Sequence, residues 1–177
     1  RLYELIWKRA LASQMASASL ERTSVTLRDP AGLHELRATG QVVNAFVSGF
    51  GYNKPCALAS TVAHDSHHMI VVGTNKADMA LAANRLGEVG GGVVLFSEGK
   101  ELALVELPVA GLMSDERAEI VAAKADKLVA AMRACGCTLN NAYMQHSLLA
   151  LVVIPELRIS DLGLVDVRTF ERVGVFV

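Results

Sequence analysis

The sequence has 177 residues, 52% of them hydrophobic and 20% charged, and a formal net charge of -1. That length suits one ordinary domain, or a small domain with an extension, and the apolar fraction is enough to build a core. The composition excludes a disordered chain and a strongly basic nucleic-acid binder. No apolar run approaches the roughly 18 residues of a membrane span, since even Leu148 to Ile154 stops at Pro155.

The chain opens on Arg1, with charges and Trp7 where a signal peptide would hold an apolar centre, so it reads as a piece of a longer cytoplasmic protein. Leu2, Leu5, Ile6, Ala10 and Met15 predict an amphipathic helix to about Ala16. Ser24 to Arg28 and Leu36 to Val43 alternate like two strands, with Asp29-Pro30-Ala31-Gly32 as the turn between them. This opening holds six basic against four acidic residues through Val43, whereas the remainder holds 11 against 14. The change of sign marks a separate opening unit. Gly49 and Gly51 then predict a bend.

The stretch from Ala57 to Thr74 sets His64, Asp65, Ser66, His67 and His68 between two apolar runs, with Met69 to Val72 reading as a buried strand. In extended backbone His64, Ser66 and His68 would share one face, and Asp65 and His67 the other. Imidazoles and a carboxylate carried into a core cost several kcal/mol, roughly, unless each is partnered. The pattern therefore points to a polar network or to contact with a ligand or another domain. By residue type His64, His67 and His68 could ligate a metal. No acidic or second histidine cluster in the sequence completes a tetrahedral set, so no metal site is assigned to this chain.

Asn75 is placed to cap a helix that has Asp78 in its first turn and Met79, Ala82, Ala83, Leu86 and Val89 at helical spacing. Gly90-Gly-Gly92 leaves that helix and enters a strand, so it reads as a C-cap and turn and not as a phosphate loop. Val93 to Ser97 and Glu101 to Leu107 flank Glu98-Gly99-Lys100 as a hairpin. After an apolar loop from Pro108 to Met113, Ser114 is the expected cap of a long helix. Its apolar face is Ile120, Val121, Ala125, Leu128, Met132 and Cys135, and Gly136 is its stop. Met132 and Cys135 are read as core filler.

Cys56, Cys135 and Cys137 are odd in number and wrongly spaced for a disulfide framework or a standard zinc site, so they are expected as free thiols. Ser147 to Ile154 suits a buried strand or a short buried helix, and the strand is preferred. Pro155 to Asp166 reads as turn-rich, and Val173 to Val177 as a last β element. The fold class is α+β or α/β, a mixed, largely antiparallel sheet layered with two or three helices and preceded by a helix and strand-pair extension.

Two resemblances enter here. Arg1-Leu-Tyr-Glu-Leu-Ile-Trp-Lys-Arg-Ala-Leu-Ala-Ser-Gln-Met15, Glu21-Arg-Thr and His34-Glu-Leu-Arg-Ala-Thr-Gly-Gln-Val-Val43 resemble a segment of bacterial type IA DNA topoisomerases. That family's nucleophilic tyrosine and acidic metal cluster lie upstream of the segment, and neither Tyr3 nor any other residue matches them, so DNA cleavage is not implied. Lys8, Arg9 and Arg22 read as a solvated helix face, and nucleic acid is not expected as a partner.

From Phe46 onward, Phe46-Val-Ser-Gly-Phe-Gly51, Ala59-Ser-Thr-Val-Ala-His-Asp-Ser-His67, Ile70-Val-Val-Gly-Thr-Asn75, Gly90-Gly-Gly92, Ala110-Gly-Leu-Met-Ser-Asp115 and Gly163-Leu-Val-Asp-Val167 resemble the C-terminal domain of bacterial adenine deaminases, within the amidohydrolase superfamily. His68 departs from that pattern, in which asparagine is usual.

The second resemblance implies domains at 1–44 and 45–177 and a role as accessory domain of an enzyme that converts adenine to hypoxanthine and ammonia. It implies that the divalent metal, manganese, iron or zinc, is held in a barrel domain that this chain lacks, so that the chain alone is inactive. His64, Asp65, Ser66 and His67 would then be substrate-side or orienting groups at the barrel's active-site mouth or on the surface that meets it. Adenine would be a partner only in the complete enzyme. The meeting of two unrelated families near Asn44 resembles a fusion, a rearranged gene or a constructed chain, and weaker order is expected before about residue 44. The competing readings are a homo-oligomerisation or interaction domain using Pro108 to Met113, and a DNA-binding fragment using the opening segment.

Overall fold

The computed structural model describes residues 21–28, 35–42, 45–64, 67–160 and 162–174. The helix expected to Ala16 and the turn at Asp29 to Gly32 lie outside the described residues. The chain divides into two compact units, one from Ser48 to Leu151 and one from the segments up to Val47 and from Val152.

In the unit made of the two chain ends, β1 (Glu21–Arg28) pairs antiparallel with β2 (Glu35–Val42), from Glu21 opposite Val42 to Arg28 opposite Glu35. Both expected strands are present: β1 starts three residues earlier than expected and ends at Arg28 as expected, and β2 is shifted by one residue.

The Ser48 to Leu151 unit is built on a four-stranded antiparallel sheet. Its strands are β3 (Ala57–Ser60), β4 (Ile70–Gly73), β5 (Gly92–Ser97) and β6 (Lys100–Glu106), in the order β4-β3-β5-β6. Alternation along β5 decides the layering. Val94 and Phe96 point to one face, where they pack with Ala59 and with Ala82 and Leu86 of α1 (Lys76–Val89). Val93 and Leu95 point to the other, against Leu58, Ala103 and Val105 and against Leu128 and Met132 of α2 (Ala118–Ala134). The central strands are thus covered on both faces, which is why they read as unbroken apolar runs. Burial of each fully enclosed Leu or Met contributes about 1.5–3 kcal/mol.

Helix α1 has the ends that its sequence signals. Asn75 accepts hydrogen bonds from the N–H groups of Ala77 and Asp78, and Gly90 closes the helix in the left-handed region with φ 79 while Gly91 N–H bonds Leu86 O at 2.8 Å. In the β5–β6 hairpin, Glu98 and Gly99 both have positive φ, 52 and 78, the backbone of a tight two-residue turn.

Three expectations are corrected. Ser114 does not cap α2: its hydroxyl accepts from Glu116 N–H in a turn one step earlier, and the helix starts at Ala118 with no side-chain cap. Ser147 to Ile154 is not a strand. It continues α3 (Ala142–Ser147) through a 3-10 turn at Leu148–Ala150 and then loop, because the helix starts ahead of the apolar run and Leu148 to Ala150 are only half-buried. The tail after Pro155 is more regular than expected, forming a meander of β7 (Leu157–Ser160), β8 (Gly163–Asp166) and β9 (Glu171–Arg172). Val173 and Gly174 lie beyond its last strand, and 175–177 are outside the described residues.

Candidate functional site

The histidine-bearing segment is the β3–β4 loop. Its entry is fixed by Thr61, whose N–H donates to Gly92 O at 3.0 Å and whose Oγ1 accepts from Gly92 N–H at 2.8 Å and donates to Gly111 O at 2.7 Å. One hydroxyl thereby ties three segments together at one end of the sheet: the β3–β4 loop, the glycine turn after α1, and the loop between β6 and α2. The contact is close enough that a Cβ on Gly91 would stand 2.5 Å from Gly111 Cα. Ser60 Oγ accepts from Val62 N–H at 3.0 Å and shapes the next step of the chain.

Beyond Thr61 the backbone does not remain extended. His67 N–H bonds Ala63 O at 2.7 Å and His67 has φ 53, neither of which fits a continuous strand. The alternation expected for extended chain is therefore replaced: His64 and His67, three apart, come together edge to face with ring centroids 5.4 Å apart. His64 and His68 are half-buried and His67 is exposed. These imidazoles are not carried into the core but stand on a loop at its rim. Asp65 and Ser66 lie outside the described residues. The following strand is also less enclosed than expected, since β4 is a sheet edge and all four of its residues are half-buried.

Among the described residues, no three His, Cys, Asp or Glu side chains converge as a metal-ligand group. His64 and His67 form a pair of imidazoles, each able to donate and to accept a hydrogen bond. Of the two, His67 is exposed and His64 half-buried.

The sequence did not single out His146, which is fully buried on α3. Its Nδ1–H donates to Ala142 O at 2.6 Å, so Nε2 is the acceptor for the Tyr52 hydroxyl at 3.2 Å, and its ring lies 4.2 Å from that of Phe50, centre to centre. Burial pushes the His146 pKa down, holding the ring neutral. Burial, followed by the nearby thiols of Cys137 and Cys56, pushes the Tyr52 phenol up. The Cys56 thiol is pushed up to about 12 by burial and then by Cys135. Cys56, Cys135 and Cys137 are all free, as expected, and all buried; Met132 and Cys135 fill the core as read from the sequence, and Cys56 and Cys137 join them there. A single histidine between Gln145 and Ser147, with no other ligand or base near it in sequence, carries no pattern, which is why His146 was missed.

At the other end of the sheet, an open depression of about 470 Å³ is lined by Tyr52, Asn53, Lys54, Pro55, Thr74 and Asn75. With its phenol held protonated and its one charge a lysine, this lining offers no acid–base pair.

The fold and the loop together define an α+β domain, with helices on both faces of one antiparallel sheet and its candidate side chains displayed at one sheet end. The family model of the adenine deaminase C-terminal domain matches residues 15–171, and the chain belongs to that family. It is 81% identical over 141 residues to adenine deaminase 3 of Rhizobium meliloti (strain 1021), covering 80% of this chain and 24% of that protein. It is 79% identical over 141 residues to an adenine deaminase of Mesorhizobium japonicum, covering 80% of this chain and 23% of the relative. A more distant adenine deaminase, from Clostridium botulinum, is 48% identical over 139 residues, covering 78% and 23%. The chain thus spans about a quarter of the length of these relatives.

Proposed function

We propose that this chain is the helper domain of a cytoplasmic enzyme that hydrolyses adenine to hypoxanthine and ammonia, and that it does not turn over adenine without the barrel domain of that enzyme. The observation that carries this reading is the 81% identity to a protein named adenine deaminase of which this chain spans only a quarter. In hydrolytic deamination, water adds to the carbon that bears the amino group, and the departing nitrogen must gain a proton. His64, Asp65, Ser66 and His67 serve this step at the mouth of the barrel by orienting the purine or relaying protons. The exposure of His67 and its pairing with His64 support that role. The divalent cation, manganese, iron or zinc, belongs to the barrel. Among the described residues no three ligand side chains converge to hold it, and no step assigned to this chain passes through it. The boundary between an opening unit and the deaminase-like domain falls near Asn44 in this reading.

The test uses the Rhizobium meliloti enzyme with residues 48–177 of this chain in place of its matching segment. His64→Ala and Asp65→Ala in that hybrid should lower kcat/KM for adenine by about 10–100-fold with the fold intact. Unchanged catalysis and stability would reject the role. The chain alone, supplied with each of the three cations, should remain inactive.

A further inference from the structure

We infer that the sheet end built from the β3–β4 loop, the Gly90–Gly91 turn and the 107–114 loop is where the remaining three-quarters of the longer enzyme docks, with Val109 and Met113 as its apolar anchors. The inference rests on membership of the deaminase family, not on any catalytic role of the histidines.

Val109 is 44% exposed, Met113 60% and, at the exit of the histidine loop, Met69 44%. Ser60 opposes Ile70 in the β3–β4 register, which sets Met69 beside Thr61, the residue that holds Gly111. Three large apolar side chains therefore occupy the one sheet end that also carries His64 and His67. The opposite end differs in chemistry: Lys54, Glu98 and Lys100 are exposed there around the hairpin turn. Elsewhere in this unit, Leu81 and Ile120 are exposed singly on the two helices, which is ordinary for a soluble surface.

The 107–114 loop is also fixed in shape before any partner arrives. Val109 N–H bonds Met113 O at 3.0 Å and Met113 N–H bonds Val109 O at 3.1 Å, closing a small ring. Inside that ring Ala110 and Gly111 hold positive φ, 58 and 73, and Gly111 is buried under Thr61. A non-glycine residue in that region is strained, because its Cβ crowds the backbone. In return, two apolar side chains are displayed with little ordering left to lose on association, the condition under which a modest patch binds well. The occupant is the rest of the deaminase because the relatives are about four times longer than the matched segment, and a domain within a longer chain meets its neighbour at high effective concentration.

Hydroxyl-radical footprinting of the free chain and of the hybrid enzyme tests this. Labelling of Met113 should fall about tenfold in the hybrid, with Met69 also protected, while Leu81 and Ile120 keep their labelling. Equal labelling of Met113 in both would overturn the inference. Protection already present in the free chain and lost on dilution would also overturn it, by making a second copy the occupant.

As a second measurement, Val109→Asp with Met113→Asp should leave the thermal midpoint of the free chain unchanged and raise protease cleavage at the junction of the hybrid several-fold. An unaltered cleavage rate counts against docking at this end. A hybrid in which Met113 is protected but His64→Ala has no effect would keep the docking surface and reject the catalytic role, so the two failures are distinct.

Discussion

The carboxylate of Asp78 accepts a hydrogen bond from the backbone N–H of Gly99 at 2.8 Å, joining the first turn of α1 to the tip of the β5–β6 hairpin. The same group accepts from Glu98 N–H at 3.0 Å and from Asn75 Nδ2 at 2.8 Å, and Asp78 is 1% exposed. One buried side chain thus serves the two N–H groups of a tight turn and orients the residue that caps its own helix. Asp78→Ala would remove the shared acceptor of those three donors and untie the hairpin tip from the helix. We expect a loss of about 2–4 kcal/mol, read as a lower urea midpoint with an unchanged slope.

His146 gives the fold a dependence on pH whose sign follows from its burial. Its folded-state pKa lies below the ordinary value of 6.5, so above 6.5 the ring is neutral whether the chain is folded or not, and the stability linked to it is fully present. As pH falls below 6.5, the unfolded chain takes up a proton that the folded chain resists, and that stability is lost on the way down to the folded-state value. Thermal midpoints measured from neutral to mildly acidic pH should therefore fall with acidification, and His146→Leu should flatten that slope. An identical slope in the variant would remove His146 as its source.

The thiols should be silent in the native chain. Cys56 is pushed up to about 12 by burial and by Cys135, so almost none of it is thiolate at neutral pH, and Cys135 and Cys137 are buried beside it. A disulfide-exchange reagent is expected to find none of the three in the folded protein and all three after denaturation. Rapid reaction of any of them before unfolding would contradict this.

What could be read from the sequence is what local chemistry dictates. Helix α1 was legible because Asn75, the spacing of Ala82 and Leu86, and Gly90 all point to the same element. The hairpin was legible because Glu98-Gly99-Lys100 is a short polar, glycine-bearing break between two strand-like runs. Alternation failed at His64 to His67 because it presumes extended backbone, whereas His67 N–H bonds Ala63 O. The hydroxyl of Ser114 was recognised as a partner for a nearby N–H, but it serves a turn before the helix. Neither α3 nor the His146 to Tyr52 bond had a sequence signal, since a six-residue helix shows too little period and a contact across 94 positions leaves no local trace.

The touching backbones at Gly91 and Gly111 have a consequence for how this domain can diverge. A methyl group at position 91 has nowhere to go, since it would sit 2.5 Å from a Cα that Thr61 already holds in place. Positions 109 and 113 are free to exchange one hydrophobe for another, but the path that carries them is not. It survives only while residue 91 bears a hydrogen atom for a side chain.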